Sequence, residues 1–196
     1  MPAFGQEQDA FDGNRRMAVT VNPFPILYAP VYDGYGVDLA YEYAILPAAS
    51  IRFAFSYASI DLDPGNLTLD NDEATAILLN AGVTGRWYWQ EKYVEGWFVS
   101  GGFQFQLGNP NSNALFEDPL DLDDDEWIYA FSAYPGVGFK WIFPSKYRVA
   151  FSVEAMASIG FLITSTMSRS QQMDLPATWL LGTTGPRTSL YLGISF

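Results

Sequence analysis

Apolar residues alternate with polar or small ones along most of this chain, in segments of roughly ten residues. A period of two puts successive side chains on opposite faces of a β-strand. Eight such segments can be traced: 17–29, 35–46, 51–58, 74–89, 97–107, 129–143, 147–161 and a last one ending at Phe196. In the second, Tyr35, Val37, Leu39, Tyr41, Tyr43 and Ile45 share a face. In the third, Ile51, Phe53, Phe55 and Tyr57 do so, and in the fifth Trp97, Val99, Phe103, Phe105 and Leu107. The first alternates from Met17 to Asn22 and continues through a proline-broken stretch to Ala29.

The links between segments have a rhythm. Short turns at 47–49, 90–96 and 144–146 alternate with long loops at 61–73, 108–128 and 162–185. The first link, 31–34, reads as a short one. Short turns at one end and longer loops at the other are the pattern of a membrane barrel, and the segments are long enough to cross a bilayer at a tilt. The expectation is therefore an all-β, eight-stranded antiparallel up-and-down transmembrane β-barrel over residues 17–196. Residues 1–16 precede it as a flexible segment. Met1 stands before a polar stretch, so the chain reads as a mature one with an added initiator Met and no signal peptide.

Charge tells the two faces apart. The ionisable residues inside the segments are Asp38, Glu42, Arg52, Arg86, Lys140, Arg148, Glu154 and Arg187, and each lies opposite the aromatic face of its segment. Ala, Ser, Gly, Thr, Gln and Asn fill most of the remaining charged face. A soluble barrel would reverse the assignment, but its exterior should be roughly a quarter to a third charged. Small residues suit a narrow interior instead. Tyr43, Trp87, Trp89, Trp97, Trp141 and Tyr147 gather near the short turns, as in an interfacial girdle. A soluble lipocalin-like or avidin-like barrel remains the competing architecture.

Composition narrows the chemistry. The 196 residues carry 22 acids and 10 bases, a net charge of -12, which argues against nucleic-acid binding. There is no Cys and no His, which removes disulfides, thiolate or imidazole metal sites and His-based general catalysis. Charged residues make up 16% of the chain and aromatics 17%. No apolar run is long enough for a membrane-spanning helix. No cofactor is expected.

The terminal run Ser189-Leu190-Tyr191-Leu192-Gly193-Ile194-Ser195-Phe196 alternates and ends in Phe. With the eight segments, it resembles the small eight-stranded outer-membrane proteins of bacteria, of the OmpW type or like the OmpA transmembrane domain and OmpX. The resemblance implies the bacterial outer membrane, surrounding outer-membrane lipid, and the barrel-assembly machinery as a partner during biogenesis. The enzymes among small outer-membrane barrels depend on His, so their chemistry cannot be carried over. No enzymatic activity is expected.

Three groups of residues are candidates for function. Asp38, Glu42, Arg52, Arg86, Lys140, Arg148 and Glu154 should face the lumen and form ion pairs there, because an unpaired buried charge is very costly. Such pairs would either plug the barrel or line a path with switching contacts. Arg187 should share their parity near the outer end. Pro23, Pro25 and Pro30 of the first segment and Pro186 of the last lie on strands that meet at the closing seam, and Pro135 interrupts the sixth. Proline cannot donate to the ladder. The strands either end there or leave a lateral opening, with a hydrophobic pocket bordered by 23–30, 179–188 and Pro135. Finally, the acidic loops, with Asp121, Asp123 and Asp125 as weak candidates for a divalent cation, read as solvated surface.

Two functional readings follow. In the first, the barrel binds or passes small apolar molecules with lateral exit to lipid. In the second, it is a closed structural or surface-interaction barrel with acidic extracellular loops and no transport.

Overall fold

A computed structural model describes residues 15–23, 26, 35–62, 74–110, 127–166 and 185–196. The described strands are β1 (Met17–Val21), β2 (Tyr35–Leu46), β3 (Ala49–Leu62), β4 (Ala74–Tyr88) and β5 (Gly96–Pro110). They are followed by β6 (Ile128–Ala133), β7 (Gly136–Ile142), β8 (Ala150–Ser165) and β9 (Gly185–Ser195). All pairings are antiparallel: β1 to β5 pair in sequence order, β6 and β7 both pair with β5 and with β8, β8 pairs with β9, and β1 pairs with β9 to close the ring.

β6 and β7 are two halves of one barrel strand, so the ring has eight strands. Tyr134 and Pro135 separate them without changing register. Ala133 faces Phe103 and Gly136 faces Ser100 on β5, while Ala133 faces Phe161 and Gly136 faces Ser158 on β8. Tyr134 N–H donates to Gly102 O at 2.8 Å, and Ile159 N–H to Pro135 O at 3.0 Å. Pro135 thus forfeits only the reciprocal bond to Ile159 and marks no bulge. The register shift in this region falls at Phe131/Ser132 instead.

Side-chain alternation sorts the wall as its charge pattern predicts. Outside, Trp87, Trp89, Trp97 and Trp141 are 50–59% exposed, with Tyr43 and Tyr147 at the same end. Tyr35, Tyr57, Trp127 and Tyr129 lie at the other end, where the Tyr35 and Tyr57 hydroxyls meet at 3.1 Å. Between them run Leu39, Phe53, Phe55, Val83, Phe103, Phe105, Val137 and Phe161, all exposed. An apolar band between two aromatic rims is the exterior of a membrane-spanning barrel.

Two link expectations change. β1 ends at Val21, just before Pro23, so the first link covers 22–34 and belongs with the long ones. The alternation that continues to Ala29 in the sequence is not strand among the described residues. The turn between β7 and β8 spans 143–149, so Tyr147 and Arg148 precede the strand that begins at Ala150. Pro25, Pro30, most of 23–30, residues 179–184 and the acidic loops with Asp121, Asp123 and Asp125 lie outside the described residues. So do residues 1–14. Arg15 and Arg16 are described, and both are anchored. Arg15 donates to the carbonyls of Ser145, Tyr147 and Arg148 at 3.0–3.3 Å, and Ala44 N–H donates to Arg16 O at 2.7 Å.

Candidate functional site

The lumen at the short-turn end is built around two carboxylates. Glu42 projects inward from β2. Its Oε1 accepts from Ser50 Oγ at 2.5 Å and from Tyr88 OH at 2.7 Å. Its Oε2 accepts from Lys140 Nζ at 2.8 Å and Arg86 Nη1 at 3.1 Å. Glu154 projects from β8 and receives both arms of Arg86, Nη1 to Oε2 at 2.8 Å and Nη2 to Oε1 at 2.7 Å. Arg52 Nη1 also donates to Glu154 Oε1, and Lys140 Nζ stands 3.9 Å from Oε2.

All five side chains are buried. Arg86 is the hub, because it is bidentate to one carboxylate and reaches the other. Its guanidinium also lies 4.3 Å from the Phe98 ring centroid, and that of Arg52 lies 4.0 Å from the Tyr191 ring. Charges enclosed in this way are tolerated only when paired and hydrogen-bonded; Glu42 accepts four hydrogen bonds, and Glu154 accepts three with Lys140 as a further ion-pair neighbour.

Below the ion pairs lies an apolar floor. Ala44, Tyr88, Val94 and Phe98 form a buried cluster, with Tyr93, Ile142 and Met156 packed against it. Val94 comes from the link between β4 and β5, which folds beneath the barrel. Tyr93 N–H donates to Pro47 O at 2.7 Å, and Glu91 and Tyr93 both take left-handed φ values, 52° and 56°. Non-glycine residues occupy that region only where surrounding contacts hold them. Gly96 closes the link at φ 99°, where a Cβ would sit 1.8 Å from Gln90 Oε1. The alternation reading treats 90–96 as a plain turn and misses this floor. The available signal was Tyr88 and Phe98, two aromatics on the otherwise small and charged face, flanking that turn.

Asp38 and Arg148 depart from the expected network. Asp38 faces the lumen but accepts hydrogen bonds from Asn22 Nδ2 at 3.1 Å and Tyr191 OH at 3.3 Å, not from a cation. Arg148 is exposed. It lies in the 143–149 turn, where strand parity does not apply, and its carbonyl accepts from Arg15. The ion-pair cluster is therefore Glu42, Arg52, Arg86, Lys140 and Glu154.

Above the cluster, in the long-loop half, the lumen opens into a cavity of about 470 Å³. Arg52 and Arg86 lie along its lining with Asp38, and Asn80, Gln104 and Arg187 line it further out. A hydrophobic pocket is expected in this half from the sequence; the cavity among the described residues is mixed, with polar and apolar surface in similar shares. The charged and amide groups come from inward positions of a narrow barrel, which also carry its small residues. Pro186 lines it and Pro135 does not.

The seam beside this cavity is uneven. β1 pairs with β9 only from Ala18↔Ser195 to Val21↔Leu192. Met17 and Phe196 exchange both backbone bonds, so alternate residues of β9, down to Leu190, Thr188 and Pro186, turn their backbone polar groups toward the seam. Pro186 has no N–H to offer there. Pro186 and Thr188 have outward parity, yet both line the cavity. Outward Phe103 on β5 lines it too, and the β9 stretch of the lining is the part that lies past the end of β1. Pro23 follows that end directly, so its position fits a strand terminus.

No protein-family model matches this chain. No curated protein matches it either. Among solved structures, the crystal structure of Acinetobacter baumannii CarO2 aligns over 93% of this chain and 97% of its own, with 11% identity and a TM-score of 0.38.

Proposed function

We propose that this chain is an integral β-barrel of the bacterial outer membrane that is closed to through-flow at its short-turn end and receives small molecules in its long-loop half. The short turns would face the periplasm and the acidic loops the outside. One observation carries the reading: a cavity of about 470 Å³ lies above a fully buried ion-pair cluster and touches the barrel wall at Pro186 and Thr188. A solute held there has no path through the plug, and its shorter way out is sideways into lipid, beside the upper part of β9. The exposed apolar band between two aromatic rims supports the membrane setting. The absence of His and Cys supports a non-enzymatic role.

The test has two arms. In planar bilayers the full chain should show no steady ohmic conductance, because the plug blocks ion flow. In liposomes it should admit a small amphipathic dye, and Pro186→Val, which restores a seam-facing donor, should slow that entry. A steady open channel would refute the plug, and unchanged entry in the variant would refute the lateral route.

The burial of all five members of the ion-pair cluster favours a second reading, a closed barrel that acts through its outer loops. It predicts no dye entry in either protein.

A further inference from the structure

The described lumen holds more positive charge than it neutralises. Arg52, Arg86 and Lys140 meet Glu42 and Glu154 in the plug. Above them Arg187 adds a fourth base and Asp38 a third acid, which leaves one net positive charge. Among the described lumen cations, Arg187 is the one in no ion pair with a carboxylate. Its Nη1 reaches Gln104 Oε1 at 3.4 Å, and its guanidinium lies 4.6 Å from the Tyr134 ring centroid. Asp38, the nearest candidate partner by charge, is engaged by Asn22 and Tyr191.

A guanidinium carries five donors in a planar fork that matches a carboxylate. Here the fork meets Gln104 and the Tyr134 side chain but makes no ion pair with a carboxylate, and it lines a cavity large enough for a small organic molecule. The wall around it is not uniformly polar: Tyr134, Met156 and Pro186 also line the cavity. Pro186 and Thr188 flank Arg187 in sequence at the edge where β1 no longer runs alongside β9.

We propose that Arg187 is the headgroup site for a single-chain monocarboxylate, whose chain lies against Tyr134 and Pro186 toward the seam. One net positive charge matches one carboxylate, and a cavity of mixed polar and apolar lining matches an amphipathic ligand better than a wholly apolar one. The inference rests on the lateral-access reading above and names the ligand that reading leaves open.

The test uses the full chain in nanodiscs of zwitterionic lipid, titrated with hexanoate, hexylammonium and hexanol, with empty nanodiscs to subtract partitioning. Hexanoate should bind, hexylammonium should not, and hexanol should bind about tenfold more weakly or worse. Arg187→Gln should weaken hexanoate about tenfold or more, the usual effect of losing a charged hydrogen bond. Arg187→Lys, which keeps the charge but loses the fork, should fall between the wild type and Arg187→Gln, and Lys92→Gln, on the exposed short-turn side, should change nothing. Equal binding of hexanoate and hexanol, or unaltered binding by Arg187→Gln with native gel mobility, would overturn the assignment. Failure of the wild-type chain to insert into nanodiscs would instead overturn the membrane reading beneath it.

Discussion

Arg86 and Glu154 stand 68 positions apart in sequence and meet across the lumen through two hydrogen bonds, at 2.7 and 2.8 Å. Neither strand pairs with the other, so the contact exists only because the ring closes. With Glu42 and Lys140 it ties the opposite walls of the barrel together through side chains. A barrel held this way is locked against widening at that level, which is why the plug and the absence of through-flow are one claim.

Removing one partner should therefore be costly. Glu154→Gln should destabilise the folded barrel by about 3–5 kcal/mol, because it leaves buried guanidinium charge uncompensated. Urea unfolding in lipid vesicles measures this. Arg86→Gln with Glu154→Gln should lose less than the sum of the two single changes. Near-zero coupling in that cycle would mean a hydrated lumen.

Arg148→Gln provides the contrast. Arg148 is exposed and its side chain makes none of the described ion pairs, so the change should stay within about 0.5 kcal/mol. A loss comparable to Glu154→Gln would place Arg148 back in the network.

Two glycines separate the packed interior from the exterior. A Cβ on Gly138 would meet Phe98 Cζ at 2.4 Å and Ala155 O at 2.7 Å, whereas one on Gly101 meets nothing within 4 Å. Gly138→Ala should cost about 1–3 kcal/mol through overpacking of the floor. Gly101→Ala should be neutral or slightly stabilising in a strand. The same unfolding assay checks both, and equal effects would contradict the packed floor.

Glu91 gives a smaller effect of opposite sign. It is exposed at φ 52°, a conformation that costs a non-glycine residue roughly 1–2 kcal/mol. Glu91→Gly relieves that strain but loosens the unfolded chain. The net gain should be up to about 1 kcal/mol in the unfolding midpoint analysis. A clear loss would mean that the Glu91 side chain holds the link in place.

These contrasts also show what local pattern can and cannot tell. Alternation placed Glu42, Arg52, Arg86, Lys140 and Glu154 on one face and Trp87, Trp97 and Trp141 on the other, because side-chain direction in a strand depends only on parity. It could not show which charges meet, since that depends on ring closure. Parity also failed wherever strand was assumed beyond its end. Arg148 was counted into a strand that starts at Ala150, and the segment to Ala29 was read past Val21, although Pro23 is a stop signal. Pro135 is the converse case: its missing donor reads as an interruption of the sixth segment, yet the register runs straight through it. The floor went unread because Val94 belongs to a turn, where no periodicity applies.

The central claim is that the aromatic face meets lipid while the charges are enclosed. Quenching of tryptophan fluorescence by brominated phospholipids tests it most directly, using lipids brominated at different depths of the acyl chain. Quenching should be strong, and greatest with bromines near the interface, because Trp87, Trp89, Trp97 and Trp141 are exposed beside the short turns. Emission unaffected by bromine at any depth, from a chain that stays folded and monodisperse without detergent, would contradict it.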